Sequence, residues 1–169
     1  MKQNFSAALA NVLISEGGFV MNPKDPGGMT NLGCTKETWE SWVGHPVTEQ
    51  VIRNLKPADV APLYKQKYWD KVSGDLLPSG IDYAVFDAAI NSGTGRAVKL
   101  LQEVLKVHAD GIIGSNTLRE LASRKPLEVI SEYQEHRLNF LKSLPTFTDF
   151  GRGWTNRVTH VGTLAATMV

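Results

Sequence analysis

Apolar positions at the start of the chain recur with the spacing of an amphipathic helix. The apolar stripe consists of Phe5, Ala8, Leu9, Val12 and Leu13. Spacings of three and four residues place these side chains on one face, so residues 3–15 are predicted to form a helix that buries this face. Glu16 continues the stripe, and Gly17-Gly18 then ends the helix because glycine readily takes the left-handed conformation. A carboxylate is therefore expected at the C-terminal end of a helix, on its core-facing side.

Residues 19–35 have a different pattern, in which proline and glycine exclude a continuous helix. The segment Asp25-Pro26-Gly27-Gly28 is a turn signal. Short extended pieces on either side of it predict a small β-hairpin.

From residue 36 onward the pattern is helical. The first predicted helix begins at Thr35 or Thr38 and ends at Trp42, and further helices cover 48–56, 57–69, 81–91, 96–106, 117–123, 126–142 and 155–167. Pro62 is expected to kink the third of these helices. The segment 81–91 is so apolar that its helix is predicted to be central. The fold class is therefore mainly α, with a small β-hairpin.

Composition narrows the classes of protein further. The chain has 169 residues, 42% of them hydrophobic, which is typical of a globular domain. The formal net charge of +1 gives no strong basic field, so no nucleic-acid partner is expected. Cys34 is the single cysteine and is predicted to be a small buried apolar residue. The four histidines lack metal-ligand spacing, so neither a metal nor another cofactor is expected.

The N-terminal pattern bears on where the protein acts. The apolar stretch 5–14 is too short to span a membrane, and no small-residue cleavage pattern follows it. We expect a protein made in the cytoplasm without a cleavable signal peptide and without stable membrane insertion. If it acts outside, something else carries it there.

Three polar residues near the helix-to-hairpin transition form the candidate site. They are Glu16, Asp25 and Thr30. A turn after Gly17 brings the hairpin back across the helix end, so the two carboxylates can face each other across a cleft. Glycoside hydrolysis uses such a pair: one carboxylic acid protonates the leaving oxygen, and a second carboxylate acts as nucleophile or activates water.

The local environments assign the two acids to different roles. The apolar stripe and the negative end of the helix dipole both disfavour the ionised form of Glu16, which suits a proton donor. Asp25 lies among turn residues, where solvent keeps it ionised. Structural alternatives remain open: Glu16 can simply end a helix, Asp25 can cap a turn, and Thr30 can be an ordinary strand residue.

Aromatic and amide side chains are candidates for binding substrate. Trp39, Trp42, Tyr68, Trp69 and Trp154 include possible sugar-stacking rings, although most aromatics in a domain of this size are core residues. Tyr68, Trp69 and Trp154 are chosen as substrate-binding residues. Asn91 is added because its amide can hydrogen-bond an acetamido group; its alternative role is to cap a helix.

Several motifs together resemble a known enzyme family. They are Ser15-Glu16-Gly17-Gly18-Phe19, Asp25-Pro26-Gly27-Gly28-Met29-Thr30, Gly33, Tyr68-Trp69, the run from Phe86 to Gly93, and Gly153-Trp154 with Asn156-Arg157. This pattern resembles glycoside hydrolase family 108, which comprises N-acetylmuramidases, many of them phage endolysins. The resemblance implies a lysozyme-like fold with Glu16 as the acid. The order Glu, Asp, Thr also resembles the catalytic triad of phage lysozymes, in which the threonine helps to hold the attacking water.

A second resemblance concerns the C-terminal part. Asp110-Gly111-Ile112-Ile113-Gly114 with Asn116-Thr117 is similar to the signature of peptidoglycan-binding helical modules; the structural alternative is a helix-helix turn. We therefore expect a catalytic region over 1–95 and a helical peptidoglycan-binding-like region over 96–169, packed into one globular domain.

Together the resemblances imply that the partner is bacterial peptidoglycan. The expected reaction is hydrolysis of the β-1,4 bond between N-acetylmuramic acid and N-acetylglucosamine, by a monomeric endolysin released through a holin. A lytic transglycosylase and a non-catalytic wall-binding module are the alternatives.

Overall fold

The computed structural model describes residues 4–21 and 28–169. Within this part of the chain the fold is mainly α with one small antiparallel sheet, which confirms the predicted fold class. The chain forms two compact units. The sheet unit is Leu9–Lys67, and the helical unit combines the described residues up to Ala8 with Tyr68–Val169.

The sheet unit begins with most of helix α1 (Asn4–Glu16), which ends where the two glycines predicted it to end. Three short strands follow: β1 (Val20–Met21), β2 (Met29–Asn31) and β3 (Cys34–Thr35). They form an antiparallel sheet in the order β1-β2-β3. The predicted hairpin thus has a third strand, made by a tight turn in which Leu32 and Gly33 both have positive φ angles. The centre of the predicted turn, residues 22–27, lies outside the described residues.

Three short helices complete the sheet unit: α2 (Lys36–Val43), α3 (Glu49–Arg53) and α4 (Pro57–Tyr64). The Thr35 side chain caps α2 by accepting a 3.1 Å hydrogen bond from the Thr38 amide. The buried Asn31 of β2 donates to the carbonyl oxygens of Ile52 and Leu55 at 2.9 and 3.3 Å. This amide fixes the sheet to the end of α3 and therefore sets the position of β2.

The predicted helix over 57–69 changes character at residue 65. Helix α4 ends at Tyr64 with Pro62 in its interior, and Lys65–Trp69 continues as a π-helix. Single π-turns of this kind frequently accompany functional sites. A 3₁₀ turn, Gly74–Leu76, then leads into the helical unit's main helices.

The helical unit is built around α5 (Ile81–Ser92), whose first nine residues are all buried. It contacts α6 (Thr94–Val104), α8 (Pro126–Lys142) and α9 (Phe147–Thr167), and α7 (Ser115–Ser123) lies between α6 and α8 in sequence. The prediction that the apolar segment 81–91 is central is therefore confirmed.

Helix α9 starts eight residues before the predicted position 155. Gly151 lies inside this helix, where a Cβ would lie 2.7 Å from the Phe147 ring, so the ring packs on the glycine. No helix in the described part of the chain is both long enough and apolar enough to cross a bilayer.

Candidate active site

The Glu16 side chain lies against the turn between β2 and β3. A Cβ added to Gly33 would lie 2.8 Å from Cγ and 2.9 Å from Cβ of Glu16, so the stem of the acid packs directly on the Gly33 backbone. Glu16 is the last residue of α1 and is half-buried. The carboxyl group is therefore held at a helix end beside the sheet, as the sequence predicted.

Tyr64 is a second constituent of the site, which the sequence analysis did not select. Its hydroxyl donates a 2.8 Å hydrogen bond to the Leu32 carbonyl oxygen, and it would lie 2.6 Å from a Cβ at position 33. The ring is 2% exposed. Tyr64 thus fixes the β2–β3 turn against which Glu16 packs. The sequence pointed only to Gly33 as a turn residue, and the structure shows that a side chain at this position would meet Tyr64.

Thr30 and Asp25 belong to the same part of the chain. Thr30 lies in β2, paired with Val20 of β1 and Thr35 of β3, and it is half-buried. Thr30 lies three positions before Gly33, which contacts Glu16. Asp25 falls within residues 22–27, outside the described residues, so its role stays a prediction from sequence.

Cys34 of β3 is buried at 2% exposure, as predicted. Burial raises the pKa of its thiol to about 11, and the positive charge of Lys67 only partly offsets this effect. The thiol is therefore protonated at neutral pH and is a poor nucleophile. Within the described residues, no cluster of three or more histidine, cysteine or acidic side chains is suited to hold a metal.

Trp69 is a core residue, so the prediction that it contacts substrate is wrong. Its side chain is 0% exposed, and its ring packs edge-on against Phe5 and Phe86, with centroids 5.4 and 5.3 Å away. The indole N–H donates to Asp75 at 3.0 Å, and Gly74 packs on the ring. A fully buried ring has no face free to stack on a sugar.

The other predicted substrate-binding residues also lie in the helical unit. Tyr68 is half-buried in the π-helix. Trp154 is half-buried on α9, where its ring contacts those of Phe147 and Phe150. Phe150 is 56% exposed, so these rings form a partly open aromatic surface. Asn91, near the end of α5, accepts a 3.4 Å hydrogen bond from Arg137.

Asn91 borders a buried ion cluster formed by Asp87, Arg137 and Arg157. The Asp87 carboxylate accepts from Arg137 Nη2 at 2.7 Å and from Arg157 Nη2 and Nε at 2.8 and 3.0 Å. Asp87 and Arg137 are fully buried. The cluster joins α5, α8 and α9, and it links two of the motifs noted in the sequence. Burial raises the pKa of Tyr83 to about 12, and the negative charge of Asp87 adds to this rise.

The segment from Asp110 to Thr117 is organised by Gln102 of α6. The buried Gln102 amide donates to Asp110 and to the Ile112 carbonyl at 2.8 and 2.9 Å, and its oxygen accepts from the Gly111 amide at 2.8 Å. The hydrogen bond from Gln102 is the main cause of the lowered pKa of Asp110. These contacts show that the motif residues hold the turn before α7. The outer side of the turn forms a polar pocket of about 470 Å³.

The half-buried Glu16 carboxyl at a helix end, packed on a small sheet in a mainly α chain, is the arrangement expected of a lysozyme-like protein. Comparison with known families identifies it further. The family model "Glycosyl hydrolase 108" matches residues 9–93, and the model "Predicted Peptidoglycan domain" matches residues 96–159. The chain belongs to glycosyl hydrolase family 108.

A solved structure supports this assignment. Brucella abortus SagA has 43% sequence identity and a TM-score of 0.87, over 99% of this chain and 97% of that chain. No curated protein matched the chain. The family and the peptidoglycan domain together support a peptidoglycan hydrolase that acts on glycosidic bonds.

Gly33→Ala tests whether the turn positions Glu16. The added methyl would meet both Glu16 and the Tyr64 hydroxyl, so it must displace the acid or the turn. We expect hydrolysis to fall by about tenfold to a hundredfold, since displacements near 1 Å are that costly. The rate of release of reducing ends from purified peptidoglycan measures the effect.

Gly44→Ala is the matched control. Gly44 has a φ of +81°, yet a Cβ there would have no heavy atom within 4 Å. Gly44→Ala therefore imposes the same kind of backbone strain as Gly33→Ala, but its methyl group meets no neighbouring side chain. Equal losses of activity in the two variants would attribute the effect to backbone strain and not to the position of Glu16.

Proposed function

We propose that the chain is an N-acetylmuramidase that cleaves the β-1,4 bond between N-acetylmuramic acid and N-acetylglucosamine. Glu16 acts as the general acid and protonates the leaving oxygen. The observation that carries this proposal is the position of Glu16. Its side-chain stem packs on Gly33, and the residue is half-buried at the end of α1.

The second catalytic group in this proposal is Asp25, assisted by Thr30. Asp25 positions water or stabilises the oxocarbenium-like charge, and the Thr30 hydroxyl helps to hold that water. The support for Asp25 is its place in the family-like motif, and the support for Thr30 is its strand position beside the turn that contacts Glu16.

Regions outside the sheet unit are assigned to substrate binding. Tyr68, Asn91 and Trp154 contact the glycan, and residues 96–169 hold the enzyme on the wall while residues 1–95 carry the catalysis. Half-exposure of Tyr68 and Trp154 and the match of the peptidoglycan domain to 96–159 support this division.

We further propose a monomeric phage endolysin that is made in the cytoplasm and reaches peptidoglycan through a holin.

Mass spectrometry of digested peptidoglycan tests the reaction. Each hydrolysed bond leaves a reducing N-acetylmuramic acid on one product and a non-reducing N-acetylglucosamine on the other. A lytic transglycosylase, which uses one acid and no water, would leave 1,6-anhydro-muramyl ends. Binding to the wall without any new ends would indicate a non-catalytic module. Reducing muramic ends are expected, and either other result contradicts the proposal.

A further inference from the structure

We propose that Arg137 is a positioning residue for glycan binding, because it turns the Asn91 carboxamide so that Nδ2 faces the substrate. In this arrangement Asn91 Nδ2 donates to the carbonyl oxygen of an acetamido group on the glycan strand. The inference rests on the function proposed above, which places Asn91 at the glycan. It adds the atom that binds, the group that this atom binds and the residue that orients it.

The contacts of Asn91 fix the direction of its carboxamide. Oδ1 accepts from Arg137 Nη2 at 3.4 Å and from the Ser92 hydroxyl at 3.3 Å. An arginine side chain has donors and no acceptor, so the oxygen of the amide, and not its nitrogen, faces Arg137. The positive charge of the guanidinium strengthens this preference.

The end of α5 is closed without the Asn91 side chain. The Gly93 amide donates to the Ala89 carbonyl oxygen at 2.9 Å, and Gly93 has a φ of +88°. Within the described residues, the Asn91 side chain bonds to Arg137 and Ser92 and to no backbone group. The alternative role of Asn91 as a helix cap therefore does not explain this amide.

Nδ2 of Asn91 is open to a ligand. Asn91 is half-buried, and within residues 4–21 and 28–169 its Nδ2 donates to no other group. The buried side-chain polar atoms without a partner in this part of the chain belong to Tyr83, Gln134 and Arg137, so Nδ2 of Asn91 is not one of them. An unpaired nitrogen that is not buried faces solvent. It therefore offers two N–H donors whose direction is already set.

An acetamido group matches these donors. Its carbonyl oxygen accepts hydrogen bonds and does not donate them, so it suits a group that presents only N–H. Every sugar of the glycan strand carries an acetamido group, so the strand offers this oxygen repeatedly.

The charge balance of the buried cluster shows why Arg137 needs an explanation. Both oxygens of Asp87 already accept from Arg157, Oδ1 from Nη2 at 2.8 Å and Oδ2 from Nε at 3.2 Å. Arg137 adds a second positive charge, and its own Nε and Nη1 are buried without a partner. Unpaired buried donors on a charged group destabilise a fold. The contact that Arg157 does not supply is the one with Asn91, and it assigns Arg137 to orienting this amide.

Asn91→Asp tests the donor. A carboxylate keeps an acceptor for Arg137 and Ser92 but replaces the N–H groups with an acceptor that repels a carbonyl oxygen. We expect the affinity of the full chain for N,N′,N″-triacetylchitotriose, measured by isothermal titration calorimetry, to fall at least about tenfold. The melting temperature should stay equal or rise, because the new charge balances the surplus of the cluster. Asn54→Asp is the control, since Asn54 is exposed and its Oδ1 also accepts, from Gln50.

Arg137→Met tests the positioning role through a double-mutant cycle with Asn91→Ala. The single substitution leaves the Asp87–Arg157 pair complete, so the protein should fold and melt at or above the wild-type temperature. Its affinity for triacetylchitotriose should fall about threefold to tenfold. The double variant should bind no more weakly than Asn91→Ala alone, because Arg137 acts through Asn91. Additive losses, or unfolding of Arg137→Met, overturn the inference.

Nuclear magnetic resonance on the wild-type chain identifies the group that is bound. Triacetylchitotriose is expected to shift the Asn91 side-chain amide, and chitotriose without acetyl groups is not. No shift with the acetylated probe, a shift with an alanyl-alanine peptide instead, or full affinity in Asn91→Asp each overturns the inference.

These measurements are independent of catalysis. A chain that binds triacetylchitotriose through Asn91 but releases no reducing ends from peptidoglycan would retain this inference and refute the muramidase proposal. Release of reducing ends with undiminished binding by Asn91→Asp would refute the role of Asn91 and Arg137 alone.

Discussion

Glu16→Gln is expected to remove peptidoglycan hydrolysis while the protein keeps its fold. Glutamine has nearly the shape of glutamic acid and can pack on Gly33 in the same way. However, its amide cannot donate a proton to the leaving oxygen. Loss of a general acid costs about 10²–10⁴-fold in rate, so lysis of purified walls should fall by at least that range. The decrease in turbidity of a wall suspension measures it.

Glu37→Gln provides a control for the change of charge. Glu37 lies in the first turn of α2 and is exposed, so the substitution removes the same charge from the sheet unit without touching the site. Its activity should stay close to wild type. Both variants should sediment with walls and melt near the wild-type temperature. Near-normal lysis by Glu16→Gln would remove Glu16 from the mechanism.

Asp87→Asn is expected to cause a large loss of stability. The change removes the negative charge that compensates Arg137, which is fully buried, and Arg157. Removing one partner of a buried ion pair leaves an uncompensated charge and lowers the free energy of unfolding by about 3–5 kcal/mol. Urea denaturation followed by circular dichroism measures the loss.

Asp149→Asn is the comparison for Asp87→Asn. Asp149 is exposed in the first turn of α9, where a carboxylate interacts only weakly with the helix dipole. Its substitution should change the free energy of unfolding by no more than about 0.5–1 kcal/mol. A similarly small effect of Asp87→Asn would show that the cluster contributes little to stability.

Local sequence patterns predicted the helices and the end of α1 well. The stripe from Phe5 to Leu13 and the following glycines placed Glu16 at a helix end, because both signals depend on residues close in sequence. The same local rules misplaced the start of α9. The helix extends back to Phe147 and includes Gly151, on which the Phe147 ring packs.

Contacts between distant residues could not be predicted in this way. Asp87 and Arg157 were both noted in family-like motifs, but a separation of 70 residues gives no periodic signal that they pair. Trp69 was selected because aromatic rings suit sugars, and only packing with Phe5 and Phe86 shows that it is core. Tyr64 was missed because its role comes from one hydrogen bond to the Leu32 carbonyl.

The proton donated by Glu16 is tested most directly by changing the leaving group. A dinitrophenyl glycoside of an N-acetylated chitooligosaccharide leaves without needing a proton, whereas the sugar oxygen in peptidoglycan needs one. We predict that Glu16→Gln loses at least about a hundredfold in rate on peptidoglycan and less than about tenfold on the dinitrophenyl substrate. Equal losses on both substrates would contradict the assignment of Glu16 as the general acid.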